Sequence, residues 1–450
     1  MNELPLPNLD EIPDKPAPKP PEQPASPTKL PGLPFPSLKA PKLPTIQRPD
    51  IKLPRIPWRV VLTTLGVVLV IGIASFFLFF WKATITITTA PADAQILLDD
   101  QAATGALKAV LRPTTYHVAV SRQDFIPYQT NITLKIHERR ALAIALRAMP
   151  APMELSDKAI QFMALNPEGT ALVFVAPSQK TAYKLFTKDL TKPVIDEITP
   201  PDLAGITNFI WSPNRELAFM KLHEVTKQYD FNRYDLVNQK VHDWPEGVGS
   251  IDWRPDGEKV AYDYEPTGGE RTIIRATKDN GEQERIFNLV GTAIDHPTLH
   301  WSPDSKHIAV VTTELHVLDA FSKELTAFDA LGPIKQAAWL PTSTGLIVQG
   351  QDDQLSFVTL AGAVTKLGVT GSIDQVVPFA DGTAIVYTRE RNSKTEFYRL
   401  ELVTQTLTPY LFRSQAPLAP TNLILSKNEQ TLFFVSGGHP TALTLDSGQY

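Results

Sequence analysis

The side chains of this 450-residue chain that could do chemistry are scattered, not gathered into a motif. There are nine histidines and no cysteine. The missing thiols exclude disulfides, thiol catalysis, Cys-ligated zinc and iron–sulfur clusters. Asp295, His296 and His300 lie close enough in sequence to meet near one edge of a folded unit. The plainer reading makes them loop and strand histidines that hold no metal. His223, His242, His307 and His316 fall at unrelated positions. His117 stands alone on an alternating strand, without a carboxylate or second histidine at ligand spacing, and reads as structural. Asp352-Asp353 reads as a solvated turn between strands. Paired carboxylates are also the apparatus of glycoside cleavage, and a ring-shaped fold can bring distant loops together, so that alternative stays open. The chain has no Gly-x-Ser-x-Gly elbow, no His-Glu-x-x-His, no P-loop and no EF-hand loop. The expectation is therefore no catalytic residue, no metal site and no cofactor, and a protein that is not an enzyme.

Composition separates the chain into regimes. Of 40 prolines, 17 precede Trp58. Residues 1–59 carry nine Lys/Arg and six Asp/Glu, leaving 34 basic and 42 acidic residues beyond. The later body has no dense basic stripe, which argues against nucleic acid as its target. Its mild acidity suits solubility.

Val60 to Trp81 is a run of 22 residues without a charge. As a helix it spans roughly 33 Å, enough for a hydrocarbon core of about 30 Å. Trp58 and Trp81 sit at its ends, where indole rings settle among headgroups, and Arg59 and Lys82 bracket it. The run is too long and too far from the N-terminus for a signal peptide, and no small-x-small cleavage site follows. It has no polar face, unlike a buried core helix. Lys39, Lys42, Arg48, Lys52, Arg55 and Arg59 precede it, whereas only Lys82 follows before Lys108. The bias places the N-terminus in the cytoplasm and residues 83–450 outside. Gly66 and Gly72 form no GxxxG pair, so helix dimerisation has no specific support.

The first 58 residues form a proline-rich tail. Proline lacks the N–H that helix and sheet need, so extended polyproline II is its natural local state. The pairs Pro31/Pro34, Pro41/Pro44 and Pro54/Pro57 fit the PxxP pattern that docks on aromatic grooves. A spacer is the favoured reading, and a cytoplasmic partner the alternative.

From Ala83 the pattern turns to period two, as in a half-buried strand. Ala83–Thr88, Gln95–Leu98, Tyr116–Val120, Tyr128–Ile136 and about Ala141–Leu146 read as strands of a five- or six-stranded module over 83–148. The stretch Pro91-Ala92-Asp93-Ala94 keeps the proline and final alanine of a PEGA motif, and Gly105 matches a later glycine. Leu111–Val120 fits that family's turn and strand, with Thr114 where glycine is usual and Asp124-Phe125 in place of Gly-Tyr. This module resembles a PEGA domain, a small β unit of prokaryotic envelope proteins. The resemblance implies a location more than a ligand.

Beyond the module the chain repeats. Seven related segments begin at Leu165, Trp211, Trp253, Trp301, Trp339, Phe379 and Leu425, at intervals of 46, 42, 48, 38, 40 and 46 residues. Their fullest forms are Trp253-Arg254-Pro255-Asp256-Gly257 and Trp301-Ser302-Pro303-Asp304. Pro167, Gly169, Pro213, Pro341, Asp381 and Gly382 keep parts of the pattern. A strand precedes each segment, proline ends its pairing, Asp-Gly closes a turn, and a hairpin follows. Four strands per unit cannot bury both faces alone, but a ring of units can, with the tryptophan filling the space between neighbours. The pattern resembles the repeats of TolB-like and prolyl-oligopeptidase propellers. It implies a β-propeller over 149–450, with seven blades favoured and six or eight as alternatives. Residues near 148–158 are expected to supply the missing outer strand of the last blade.

The resulting expectation is an all-β body behind one transmembrane helix (59–82) and a proline-rich tail. Its function would be that of an extracytoplasmic binding or scaffold protein of the prokaryotic envelope. The partner would be an envelope protein or cell-wall glycan. The alternatives are a wall-processing enzyme with a propeller active site, and an assembly or signalling protein recruiting through its tail.

Overall fold

The computed structural model describes residues 57–76, 81–99, 101–177, 183–192, 194–198, 206–214, 217–222, 230–238, 240–369, 372–414 and 418–446. The proline-rich tail with its PxxP pairs lies outside the described residues, as do Asp100 and His223. The chain divides into two units, residues 1–71 and 72–450.

Trp58–Ser75 forms an 18-residue helix, long and apolar enough to cross a membrane. At 1.5 Å per residue it is about 27 Å long. Its two threonines turn back onto their own helix. Thr63 Oγ1 reaches the carbonyls of Arg59 and Val60, both at 3.0 Å, and Thr64 Oγ1 reaches Val60 O at 2.8 Å. Neither threonine hydroxyl thereby needs a partner outside the helix. The helix starts one residue before the expected span and is described as far as Ser75, with residues 77–80 outside the described residues. Lys82 belongs instead to the β module, where its carbonyl accepts the His137 N–H at 2.8 Å.

The β module has seven strands, not five or six. Ala83–Ala90 lies between Ala106–Leu111 (antiparallel) and Arg139–Ala145 (parallel). A second sheet runs in the order Gln101–Thr104, Gln95–Leu98, Thr115–Ser121 and Tyr128–Thr133. The alternation of Ala83-Thr84-Ile85-Thr86-Ile87 is read out directly, with Ile85 and Ile87 fully buried against Ile96, Leu98, Val118 and Val120. Each such isoleucine contributes about 1.5–3 kcal/mol relative to exposure. The missed strands flank Gly105. Its φ is +74°, and a Cβ there would sit 2.1 Å from the Ala92 carbonyl oxygen. The Gly105 N–H donates to Ala94 O at 2.8 Å, and its carbonyl accepts the Thr89 N–H at 3.0 Å. Pro91, Ala94 and Gly105 thus form one turn system. Gly105→Ala should destabilise the module by about 1–3 kcal/mol through backbone strain. Hydrogen exchange at Thr89 and Gly105 reads it, and wild-type protection would show that the turn tolerates a side chain.

Seven four-stranded antiparallel sheets follow, beginning at Phe162, Ile206, Val248, Thr298, Ile334, Ser372 and Thr421. The seventh takes Met153–Glu154 as its outer strand, paired with Thr441 and Ala442. The sequence reading placed the closing strand in this segment. Seven apolar clusters each join two successive sheets, one of them linking Phe174 of the first to Phe433 of the last. Every sheet therefore buries both faces. This explains why the second strand of each blade, such as Lys259–Tyr264, reads as an apolar run instead of an alternation. Val260 and Tyr262 pack toward the second blade, and Ala261 toward the fourth.

The repeat motif builds the turn between first and second strands. In six blades the residue three beyond the turn's first has positive φ: Gly169, Gly257, Ser305, Ser343, Gly382 and Glu429. Its N–H returns to the carbonyl of Asn166, Arg254, Ser302, Leu340, Phe379 and Ser426 respectively, at 2.8 or 2.9 Å. Copies six and seven keep this geometry although they have lost the tryptophan.

A polar channel at the blade three–four junction

Inner strands face the ring's axis with every second residue. In the third blade Ile251 and Trp253 enter the core between blades, so Ser250 and Asp252 face the axis. In the fourth, Leu299 and Trp301 pack inward while Thr298 and His300 line the open side. The two strands are laced by side chains, because inner strands of neighbouring sheets leave N–H groups without a ladder partner. Ser250 Oγ accepts the Leu299 N–H at 3.0 Å, and Asp252 Oδ2 accepts the Trp301 N–H at 2.7 Å. The other oxygen of Asp252 takes the Trp253 N–H at 2.9 Å.

These residues line a cavity of about 1230 Å³ between the inner strands of the first four blades. Phe162, Phe209 and Ile210 supply its apolar wall, and Ser250, Asp252, Thr298 and His300 its polar one. Asp252 keeps partial exposure to the cavity, yet protein surrounds it on all other sides. Desolvation pushes its carboxyl up to about 7, against the opposing effect of the two N–H donors. The protein around the channel wall partly desolvates His300 and holds it below the usual imidazole value, although its side chain is open to the cavity.

At the cavity's mouth Arg271 gathers four groups. Its Nε donates to Asp263 Oδ1 at 3.1 Å, and its terminal nitrogens reach Asp295 Oδ1 at 2.5 Å and Glu265 Oε2 at 3.3 Å. It also bonds the His296 ring. Asp263 is 1% exposed, and its second oxygen has no hydrogen-bond partner. Burial raises its carboxyl despite Arg271. Gly249 makes room for that oxygen, since a Cβ there would lie 2.7 Å from it.

Asp295 and His296 do meet, at 3.7 Å, but around an arginine the sequence reading did not include. His300 lies on the channel wall. Among the described residues no group of three His, Asp or Glu is placed to hold a metal ion. His117 Nδ1 pairs with Asn131 at 3.0 Å within the small module. Asp353 accepts the buried Gln349 amide at 2.8 Å, so half of the Asp352-Asp353 pair serves the fold. Of the repeat-motif residues, Trp211 lines the cavity; those of the third blade sit at the opposite end of the second strand from the Glu265–Gly268 loop and build the turn between strands. Asp252 had a visible signal: it precedes the tryptophan where other copies have Ile210 or Ala338. Arg271, Asp263 and Gly249 had none.

No family model matches the chain, and no curated protein does. Among solved structures, an oligogalacturonate lyase in complex with manganese is similar at 12% identity and a TM-score of 0.50. The match covers 66% of this chain and 93% of that one. The β-propeller domain of Myceliophteria thermophila Cps50 (Swd1) is similar at 14% identity and a TM-score of 0.50, over 66% of this chain and all of that one. The shared property is the β-propeller fold. At these identities the likeness extends to the fold alone. One of the two is an enzyme and the other a propeller domain, so the fold does not separate binding from catalysis.

Proposed function

We propose that this chain is a single-pass, membrane-anchored binding or scaffold protein of the prokaryotic envelope, with its propeller outside the cytoplasmic membrane. The observation that carries the reading is the large cavity framed by rigid inner strands and lined by both apolar and polar groups, the usual form of a recognition site. The uncharged helix and the lysines and arginines before it support anchoring with the N-terminus inside. The small β module, read as PEGA-like, serves as stalk or second contact. A binding role is favoured over catalysis because the carboxylates at the cavity are held in place by structural bonds on one side: Asp252 by two backbone N–H groups, and Glu265 by Arg271. Full-length protein is expected to resist alkaline extraction from membranes and, in detergent, to retain a defined envelope protein or wall glycan. Turnover of wall fragments, lost on removing channel carboxylates, would replace this reading with an enzymatic one.

A further inference from the structure

We infer that the channel receives a cationic segment of a protein partner, a lysine- or arginine-bearing stretch whose charged end group pairs with Asp252. This rests on the binding function above and names its ligand class.

Size is the first argument. Small-molecule sites occupy about 300–1,000 Å³, and this cavity, at about 1230 Å³, has room for several residues of chain. Charge is the second. Among the described residues the only lysine or arginine lining the cavity is Arg271, and three carboxylates already share it. Asp252 and Glu265 on the lining, with Asp263 and Asp295 beside it, outnumber that one cation. Asp252 also has unused bonding capacity. A carboxylate accepts about four hydrogen bonds. Asp252 accepts two, both from backbone N–H groups in the wall, which leaves its free lone pairs for the channel side. Behind the wall, the second oxygen of Asp263 is buried without a partner and directed at Gly249, which lines the same cavity. A cation in the channel would compensate both.

The protonation of Asp252 supplies a test. Ionisable groups on the strands packed against it are His300 on the fourth blade, and Lys259, Tyr262, Asp263 and Tyr264 on its own. Lys259 faces Glu282, Tyr262 donates to Asn280, and Asp263 is held by Arg271. With its carboxyl near 7, Asp252 must lose a proton to receive a cation.

The experiment measures binding of a labelled tetralysine peptide to the full-length protein in detergent at low salt, with tetraglutamate as control. Tetralysine should bind and tetraglutamate should not. Asp252→Asn should weaken binding about tenfold or more, as expected for losing a charged hydrogen-bond partner. Affinity should fall about tenfold per pH unit below about 7. Equal affinity of Asp252→Asn and wild type, or a flat profile from pH 8 to 5, would place the cation on the exposed rim at Glu265 and Asp295 and overturn the inference. Should Asp252→Asn fail to fold, the wild-type pH profile decides alone. No tetralysine binding while an envelope protein is still captured removes this inference and leaves the binding function standing. Loss of all capture removes both. Capture of wall glycan alone, unchanged by Asp252→Asn, overturns the cationic segment.

Discussion

Trp253→Ala is expected to destabilise the propeller by about 3–5 kcal/mol, the usual cost of deleting a buried large aromatic. Trp253 is 4% exposed and packs among Phe231, Trp244, Val248, Val260 and Tyr262, which come from two blades. Its indole N–H reaches across the boundary to the Ile210 carbonyl at 3.3 Å, as Trp339 reaches His300 O at 2.8 Å two blades on. One side chain thus fills the gap between sheets and donates to the neighbouring inner strand. No smaller residue does both. Asp256→Ala in the same motif is the informative contrast. Asp256 accepts the Glu258 N–H at 3.0 Å and the Arg254 guanidinium in an exposed turn, and such surface bonds are together worth about 1–2 kcal/mol. Urea unfolding of the full-length protein, followed by far-ultraviolet circular dichroism, compares the two variants. If Trp253→Ala cost no more than Asp256→Ala, the tryptophan would not be the filler between blades.

The contrast also explains what the sequence could reveal. Repetition makes a signal. Seven copies of a strand ending in an aromatic or leucine residue, followed by a tight turn, identify blades because each copy meets the same steric demand. The turn survives in copies six and seven without tryptophan, since positive φ at Gly382 and Glu429 depends only on the local backbone. The closing strand at Met153–Glu154 was inferable because the last hairpin lacked an outer partner. The strands beside Gly105 were missed for the opposite reason. Gln101–Thr104 is largely exposed, and Ala106–Leu111 alternates in burial, with Leu107, Ala109 and Leu111 on the core, but the apolar Ala106 and Val110 on its outer face hide that period in the sequence. The site was the least legible part. Asp252 and His300 lie 48 residues apart and become neighbours only because adjacent inner strands share an axis. Arg271 is drawn to Asp263 by pairing across a hairpin and to Asp295 by a loop between blades, and neither spacing resembles a motif.

Arg271→Ala should be nearly as damaging as the loss of Trp253, and its cost should depend on pH. The exposed partners Glu265 and Asp295 contribute little, as surface pairs do. Asp263 is different, because its side chain is 1% exposed and Arg271 is its ion-pair partner. Removing one member of a buried pair costs about 3–5 kcal/mol, because the remaining charge stays desolvated. Burial already raises the Asp263 carboxyl in the intact protein, and without Arg271 it rises further. A group raised on folding stabilises fully below its unfolded value, about 3.9 for aspartate, and loses that stabilisation as pH rises through the folded value. The deficit of Arg271→Ala should therefore be largest at pH 8 and shrink toward pH 5. Adding Asp263→Asn removes the stranded charge, so the double variant should recover much of the loss and show no such pH dependence. Urea midpoints at the two pH values, for single and double variants, decide the matter. A deficit that persists unchanged at pH 5, or that the second substitution does not relieve, would mean that Arg271 acts through packing of its stem and not through the buried charge it holds.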